Sequence, residues 1–381
     1  MKWHRALVRV SLLAPLVALA SCGGGGGSMA STSPPGGGGT CSGAPFTTSC
    51  QAATQTVAND AMCSAANIST PFYWEIGDAN GPIVSGQSLG TSVTSTTPLL
   101  IASASKWIYA AYVVQVRGGP ANLDPVNDVP FLNFTSGYTY LGNYPPSNPA
   151  CLSKTATVND CLAGLPSSPD PSTQGLFDYD SDHMEWHAGT VMSLGADGLQ
   201  LLATDIQTGL AGATANFPNL NFQYWNVLLS GGVTTTADDY AAFLREILSH
   251  NLLIYSALGA DAVCTWPASA SVPSNVKQCQ TYSVANSSAT PIYTASTNAG
   301  HPEYWHYSLG HWIEDDPNVG DGAFSSPGAL GFYPWIDSSV HYYGLIARQD
   351  NNARTSGVFA GYTSAECGRL VRKAWMTGVA Q

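Results

Sequence analysis

Charge is scarce in this sequence. Charged residues make up 10% of the 381 positions, and only 13 of them are lysine or arginine. Set against 25 acidic residues, they leave a formal net charge of −12. A surface of that sign repels nucleic acid and anionic lipid, so neither is an expected partner. Charge-rich disorder is also excluded, because hydrophobic residues reach 44% and can build a core. Neither a C-x-x-C pair nor an H-E-x-x-H occurs, so two common zinc signatures are missing and no metal is expected. There is no internal repeat. Beyond residue 20 no apolar run is long enough to span a bilayer.

What is present begins with an export pattern. Lys2, Arg5 and Arg9 precede an apolar core from Ser11 to Ala20. Leu19-Ala20-Ser21-Cys22 resembles the lipobox of bacterial lipoproteins, which implies lipidation of Cys22 as a new N-terminus. Gly23 rather than Asp after that cysteine implies sorting to the outer membrane, facing the periplasm or the cell surface. Residues 1–21 thus read as a signal peptide, 22–40 as a Gly/Ser/Pro tether and 41–381 as the folded domain. Setting Cys22 aside leaves eight cysteines, an even set that suggests disulfides in an exported chain. Cys151–Cys161 and Cys264–Cys279 are natural local pairs. Cys50 and Cys63 fall on one expected helix and cannot pair there. Cys41–Cys50 with Cys63–Cys367 is the favoured arrangement of the remaining four, although spacing leaves their connectivity open.

Periodicity and punctuation predict a helix over Gln51–Asn67, then strands over Pro71–Gly77 and Pro82–Gly86 around the turn Asp78–Gly81. A helix is expected over Ser103–Val116, followed by mostly loop from Pro120 to Gln174. Further helices are expected over Asp182–Ser193, Gly198–Leu210 and Asp238–Ser249, the last capped by Thr236 with Asp239 at its third position. A loop-rich insert spans Gly259–Ala299. Strands follow over Tyr304–Glu314, Gly328–Ile336 and Tyr342–Arg348, and a helix closes the chain over Ser364–Met376. The two ends, about 41–100 and 300–381, are expected to share a sheet lobe. Residues 101–299 then form a helical and loop lobe, with chemistry in the cleft between them.

Ser103 and Lys106 stand three apart at the start of an apolar helix, on one face of it. A lysine held in apolar surroundings loses its proton more easily and can activate serine without a histidine. A second S-x-x-K, Ser274 to Lys277, sits in a Pro/Ser loop where no helix fixes its geometry. Gly86-Gln87-Ser88-Leu89-Gly90 matches G-x-S-x-G, but a β-branched segment follows where that motif requires a helix. His183 and His187 stand at i and i+4 beside Asp182, a spacing able to hold a metal, yet no third ligand is identifiable. Asp178, Asp180 and Asp182 mimic the start of a calcium loop that lacks its glycine and its final glutamate.

Four segments together resemble class C β-lactamase-like serine hydrolases. IASASK, residues 101–106, is close to the I-A-S-x-S-K signature, and FLNFTSGY, 131–138, to L-x-x-H-T-S-G-L. LLSGGVTTTADDYAAFL, 228–244, resembles the A-G-G-x-x-S-T-A helix entry, and FSSPGALGFYPWID, 324–337, resembles a strand of family VIII carboxylesterases. The resemblance spans about 51–376. It implies the α+β β-lactamase/transpeptidase fold, an antiparallel sheet flanked by helices plus an α-helical lobe. Ser103 matches the nucleophile and Lys106 its partner. Tyr179, in the Y-x-S triplet ending at Ser181 as in nylon-oligomer-hydrolase-like members, matches the third member. A literal Y-x-N at Tyr224-Trp225-Asn226 is the rival. A lysine ammonium bonded to the Tyr179 phenol would favour phenolate and let it shuttle the Ser103 proton. The backbone amides of Ser103 and Ala329 would form the oxyanion hole.

The family β-lactamases carry K-T-G where this chain has Ser326-Pro327-Gly328. The missing cation weakens the β-lactamase and D-amino-acid peptidase readings and favours neutral esters, or amides as in amide-oligomer hydrolases. A non-catalytic penicillin-binding-like lipoprotein is the competing class. Ser181, Ser326, Gly328, Trp305 and His306 are the expected substrate contacts, the last two as an aromatic cleft wall. No cofactor is needed for acyl transfer of this kind.

Overall fold

The computed structural model describes residues 40–41, 46–142, 146–212, 214, 216–353 and 359–381. Cys22 and the side chain of Cys41 lie outside them, and with these the lipid and Cys41–Cys50 expectations. Twelve strands are described: β1 Thr40–Cys41, β2 Phe72–Asp78, β3 Gly81–Ser88, β4 Leu99–Leu100, β5 Gln223–Tyr224, β6 Val233–Thr235, β7 Val263–Cys264, β8 His306–Ser308, β9 His311–Glu314, β10 Ala323–Ser325, β11 Tyr333–Ile336 and β12 Tyr343–Ala347. The described helices are α1 Thr47–Asn59, α2 Ser105–Val116, α3 Val129–Leu132, α4 Val158–Leu162, α5 Asp182–Trp186, α6 Leu199–Ala211, α7 Ala237–Leu248, α8 Pro291–Asn298 and α9 Ala360–Thr377.

Nine strands form one antiparallel sheet in the order β1-β3-β2-β12-β11-β10-β9-β8-β7. The two ends of the chain meet at its centre, where Tyr73 of β2 lies opposite Ala347 of β12 and Gly77 opposite Tyr343. The sheet takes strands from both ends of the described chain and from one segment between them. Val263 and Cys264, placed by sequence in the other lobe, extend the sheet by pairing with Tyr307 and His306. Leu99 and Leu100 leave it for a small sheet with β5 and β6.

One expected strand, Tyr304–Glu314, is a hairpin. Leu309 and Gly310 both have positive φ, 35° and 80°, and turn the chain between β8 and β9. The expected strand Gly328–Ile336 begins only at Tyr333, and Gly331, at φ 101°, falls in the turn before it, between β10 and β11. The first helix ends at Asn59 rather than Asn67. Asp60 has extended backbone, and its carboxylate accepts from Met62 N at 2.8 Å, which starts a separate short turn carrying Cys63. That break lets Cys63 bond Cys367 of α9. Cys151–Cys161 and Cys264–Cys279 are also paired. The cap on α7 is as expected, with Asp239 N donating to Thr236 Oγ1 at 3.1 Å. In the insert, α8 starts at Pro291, a residue whose fixed φ suits a first helical turn.

Helix α2 carries almost no polar face, and every residue from Ser105 to Val114 is buried. A helix apolar all round belongs in a core, and this one is enclosed by neighbouring elements. The β8–β9 turn presses on it: a Cβ on Gly310 would lie 2.5 Å from Ala110 Cβ and 2.8 Å from Lys106 O. The sheet's own edge of contact is α9, where a Cβ on Gly368 would lie 2.4 Å from the Tyr333 ring. Ser103 therefore stands at the mouth of a rigid central helix, with the sheet to one side.

Candidate active site

Ala102 adopts a positive φ of 47°, a costly conformation for a residue with a Cβ. Its carbonyl accepts from Ser105 Oγ at 2.7 Å, which holds the turn. One residue later Ser103 is presented from a short 3-10 turn that runs directly into α2. Lys106 Nζ lies 3.0 Å from Ser103 Oγ and donates to Ser230 O at 2.9 Å. The amine is buried, and burial brings it down to about 7, against the pull of Glu185 and Asp180 toward the charged form.

Tyr179 joins them, with a correction to its expected chemistry. Lys106 Nζ sits over the phenol ring, 4.7 Å from its centroid, and so meets the π face. Burial pushes the phenol up to about 12. Ser103 and Trp312, both close to the phenol, oppose the rise. Tyr179 thus holds its proton at neutral pH and is suited to donate it. The ring is fixed by Trp312 at 5.3 Å, Phe134 at 5.4 Å and Tyr307 at 5.8 Å. Tyr224, the rival, is buried away from this cluster on β5.

Ser103, Lys106, Tyr179, Ser181 and Ala329 line one cavity of about 620 Å³. Four expected substrate contacts do not belong to it, Ser326, Gly328, Trp305 and His306. Ser326 is 2% exposed and donates to Ser103 O at 3.1 Å, so it braces the peptide of Ser103. Trp305 is fully buried, its Nε1 donating to Glu303 at 2.7 Å. His306 is likewise buried, with Nδ1 2.8 Å from Asp315 and Nε2 3.1 Å from Lys277 O. Gly328 permits a close approach, but to the chain itself: a Cβ there would lie 2.1 Å from Ile101 O. Absence of a side chain at 328 lets the turn carrying Ala329 pack directly against the segment that leads to Ser103.

The two-histidine motif is divided among separate partners. His183 Nδ1 meets Ser136 Oγ at 2.6 Å and its Nε2 meets Asp178 O at 2.9 Å. His187 Nδ1 meets Tyr109 at 2.8 Å and its Nε2 meets Asp128 at 2.9 Å. All four ring nitrogens are engaged, and a π-turn over His187–Val191 follows α5. The calcium-loop mimic is spent similarly, with Asp182 N accepted by Asp180 at 2.8 Å and Asp182 accepting from Tyr140 N at 3.1 Å. Ser88 of the G-x-S-x-G lies within β3 opposite Phe72.

Sequence reasoning missed Glu185. Its carboxylate accepts from Ser230 Oγ at 2.6 Å, Leu229 N at 3.0 Å and Ser230 N at 3.3 Å. Ser230 O in turn holds Lys106. Burial raises Glu185 to about 7, while these bonds and Lys106 pull it down. The sole hint in the sequence was its place in the helix that follows Tyr179.

No family model matches this sequence, and no curated protein matches it. Solved structures do resemble it in fold. A putative β-lactamase from Bacteroides dorei DSM 17855 aligns at TM-score 0.53 and 20% identity, over 81% of this chain and 94% of that one. A D-stereospecific amidohydrolase from Streptomyces aligns at 0.49 and 13%, over 88% and 100%. A simvastatin synthase from Aspergillus terreus aligns at 0.47 and 13%, over 87% and 100%. The fold is β-lactamase/transpeptidase-like.

Proposed function

We propose that this chain is a serine hydrolase that cleaves neutral carboxylic esters, or amides, through an acyl-enzyme on Ser103. The observation that carries this reading is a serine 3.0 Å from a buried lysine brought down to about 7, at the wall of an open cavity. Ser103 Oγ attacks the carbonyl carbon while its proton passes to neutral Lys106 Nζ. The oxyanion is received by the amides of Ser103 and Ala329. As the tetrahedral adduct collapses, Tyr179 protonates the departing alcohol or amine and is reprotonated from Lys106. Water then attacks the ester, losing its proton to Lys106, and Ser103 leaves with a proton restored.

Ester over lactam is favoured because Ser326, at the place of the family's cation, carries no charge. We propose also that the chain is exported and anchored to the outer membrane through Cys22; among the described residues no helix is long and apolar enough to cross a membrane.

A fluorophosphonate is expected to add once, on the peptide containing Ser103, by mass spectrometry. An unlabelled, folded protein would sink the hydrolase reading and favour a binding module.

Glu185 is expected to set the pH at which Lys106 works. Its negative charge favours the ammonium, so Glu185→Gln lowers the lysine further. The acid limb of kcat/KM, near pH 7 in the unaltered protein, is expected to move to lower pH in the variant. A limb that stays in place would assign Glu185 a purely structural role.

A further inference from the structure

The loop that carries the second S-x-x-K takes no part in the chemistry above, and the Cys264–Cys279 disulfide closes it. Of the three described disulfides this one is the most accessible. Cys63, Cys367, Cys151 and Cys161 are each 1% exposed or less, whereas Cys279 is half-buried. Cys264, the inner sulfur, is fully buried on β7 and lies 3.7 Å from His306 Nε2. Asp315 holds the other nitrogen of that ring at 2.8 Å. A thiolate arriving from solvent therefore meets Cys279 first. The sulfur that must leave is the one beside the imidazole, and an imidazolium there favours a thiolate.

Just past Cys279 the chain becomes a strap, residues 281–284, with the end of β7 on one side and Phe177 on the other. Cys264 N donates to Thr281 O at 3.1 Å, and Ser283 N donates to Trp266 O at 3.3 Å. Across the strap, Phe177 N donates to Tyr282 O at 3.0 Å and Val284 N donates to Phe177 O at 3.1 Å. Both backbone polar groups of Phe177 are thus satisfied by the strap. Tyr179 stands two residues on, in a tight turn where Asp180 N donates to Asp178 O at 2.8 Å. The loop packs on a minor core of its own, built on Cys264, Trp266, Val276 and Tyr304. So small a core holds a loop weakly, and a cross-link between positions 15 apart removes many of its open states.

We infer that the Cys264–Cys279 disulfide is a redox-sensitive clamp that positions Tyr179, and that opening it slows reactions whose leaving group needs a proton. The inference rests on the hydrolase reading, in which Tyr179 is the acid. Opening is a thiol–disulfide exchange with a dithiol. One dithiol sulfur attacks Cys279 Sγ as a thiolate, the S–S bond breaks, and Cys264 Sγ leaves with the electron pair and takes up a proton. The second dithiol sulfur then displaces Cys279 Sγ, which is protonated in turn. The protein gains two thiols and the dithiol becomes a disulfide. With the strap released, Phe177 loses the partners that fix the approach to Tyr179, and a misplaced acid transfers its proton poorly.

Two butyrates that share an acyl group test it. Nitrophenolate leaves p-nitrophenyl butyrate without a proton, whereas ethoxide leaves ethyl butyrate only with one. In Cys264→Ala/Cys279→Ala, kcat/KM is expected to fall about ten-fold or more for ethyl butyrate and less than about three-fold for p-nitrophenyl butyrate. Tyr179→Phe is expected to show the same split more strongly. Dithiothreitol should give the unaltered protein the same split, reversed on reoxidation, with differential alkylation placing the new thiols at Cys264 and Cys279. That arm stands even where the double variant fails to fold. A split in Tyr179→Phe with none after the disulfide is opened, or a disulfide that dithiothreitol leaves closed in the folded protein, would overturn the clamp and leave the hydrolase reading in place. No split in Tyr179→Phe would strike the assignment of Tyr179 as the acid, and the clamp with it. Hydrogen exchange reads the clamp without turnover: opening the disulfide should speed exchange in the peptides holding Phe177 and Val284 and leave α2 unchanged. Unchanged exchange at Phe177 would refute the clamp even in a protein that hydrolyses nothing.

Discussion

Lys106→Met is expected to lower kcat/KM toward p-nitrophenyl butyrate by about 100- to 10,000-fold, the usual contribution of a positioned general base. Methionine keeps the length and apolar stem of the side chain, so the cavity left in the core is small. The variant loses the one group within 3.0 Å of Ser103 Oγ able to take its proton at neutral pH. Fluorophosphonate labelling should slow in parallel, because it depends on the same activated oxygen. The residual rate should also lose the part of the limb near pH 7 that Lys106 supplies, leaving only what Glu185 contributes. A loss below ten-fold, with the circular dichroism of the unaltered protein, would mean that Ser103 is activated by something other than this amine.

The largest expected effect on stability lies between α9 and the sheet. Arg372 of α9 is fully buried and donates to Glu314 at 2.8 Å, to Asp321 at 2.7 and 2.8 Å, and to the Tyr333 phenol at 2.8 Å. Tyr333 itself donates to the other Glu314 oxygen at 2.6 Å. Arg372→Met leaves Glu314, also fully buried, with its charge uncompensated. Removing one partner of such a pair costs roughly 3–5 kcal/mol, which for a chain of this size lowers Tm by roughly 4–7 °C. Adding Glu314→Gln should recover part of the loss, because the orphaned charge is then gone. A Tm within about 2 °C of the unaltered protein would show that water or rearrangement compensates Glu314.

The parts of the site that were legible in the sequence are those fixed by local geometry. Ser103 and Lys106 are one helical turn apart, and a run of apolar residues announces the helix that holds them. Thr236 and Asp239 form a cap within three residues. What could not be read depends on partners distant in sequence. Trp305 and His306 looked like a cleft wall because aromatic and polar groups alternate there; their burial is decided by Glu303 and by Asp315, which satisfy their polar atoms within the structure. Ser326 was expected to face substrate, yet its hydroxyl is spent on the Ser103 carbonyl, 223 positions away. Glu185 carries no motif, and its importance rests on Ser230, which reaches it from the segment before β6. The hairpin within 304–314 reads as a single strand because Leu309 offers no turn signal of its own and Gly310 alone does not mark a turn.

The pairing of β2 with β12 has a consequence for the order in which the molecule can come into being. During synthesis β2 and β3 emerge early and can form their hairpin, but the inner neighbour of β2 lies some 270 residues later in the chain, at Tyr343–Ala347. The turn that carries Ala329 is equally late, and α9, which bears both Cys367 and Glu366, is the last element of all. A nascent chain released short of α9 therefore holds Ser103 and Lys106 without the opposite wall of their cavity. Assembly of the cleft must wait for nearly the whole polypeptide, and contacts of such long range close slowly. The cleft around Ser103 stays unassembled while the chain is being made, and is complete only when its two ends have found each other.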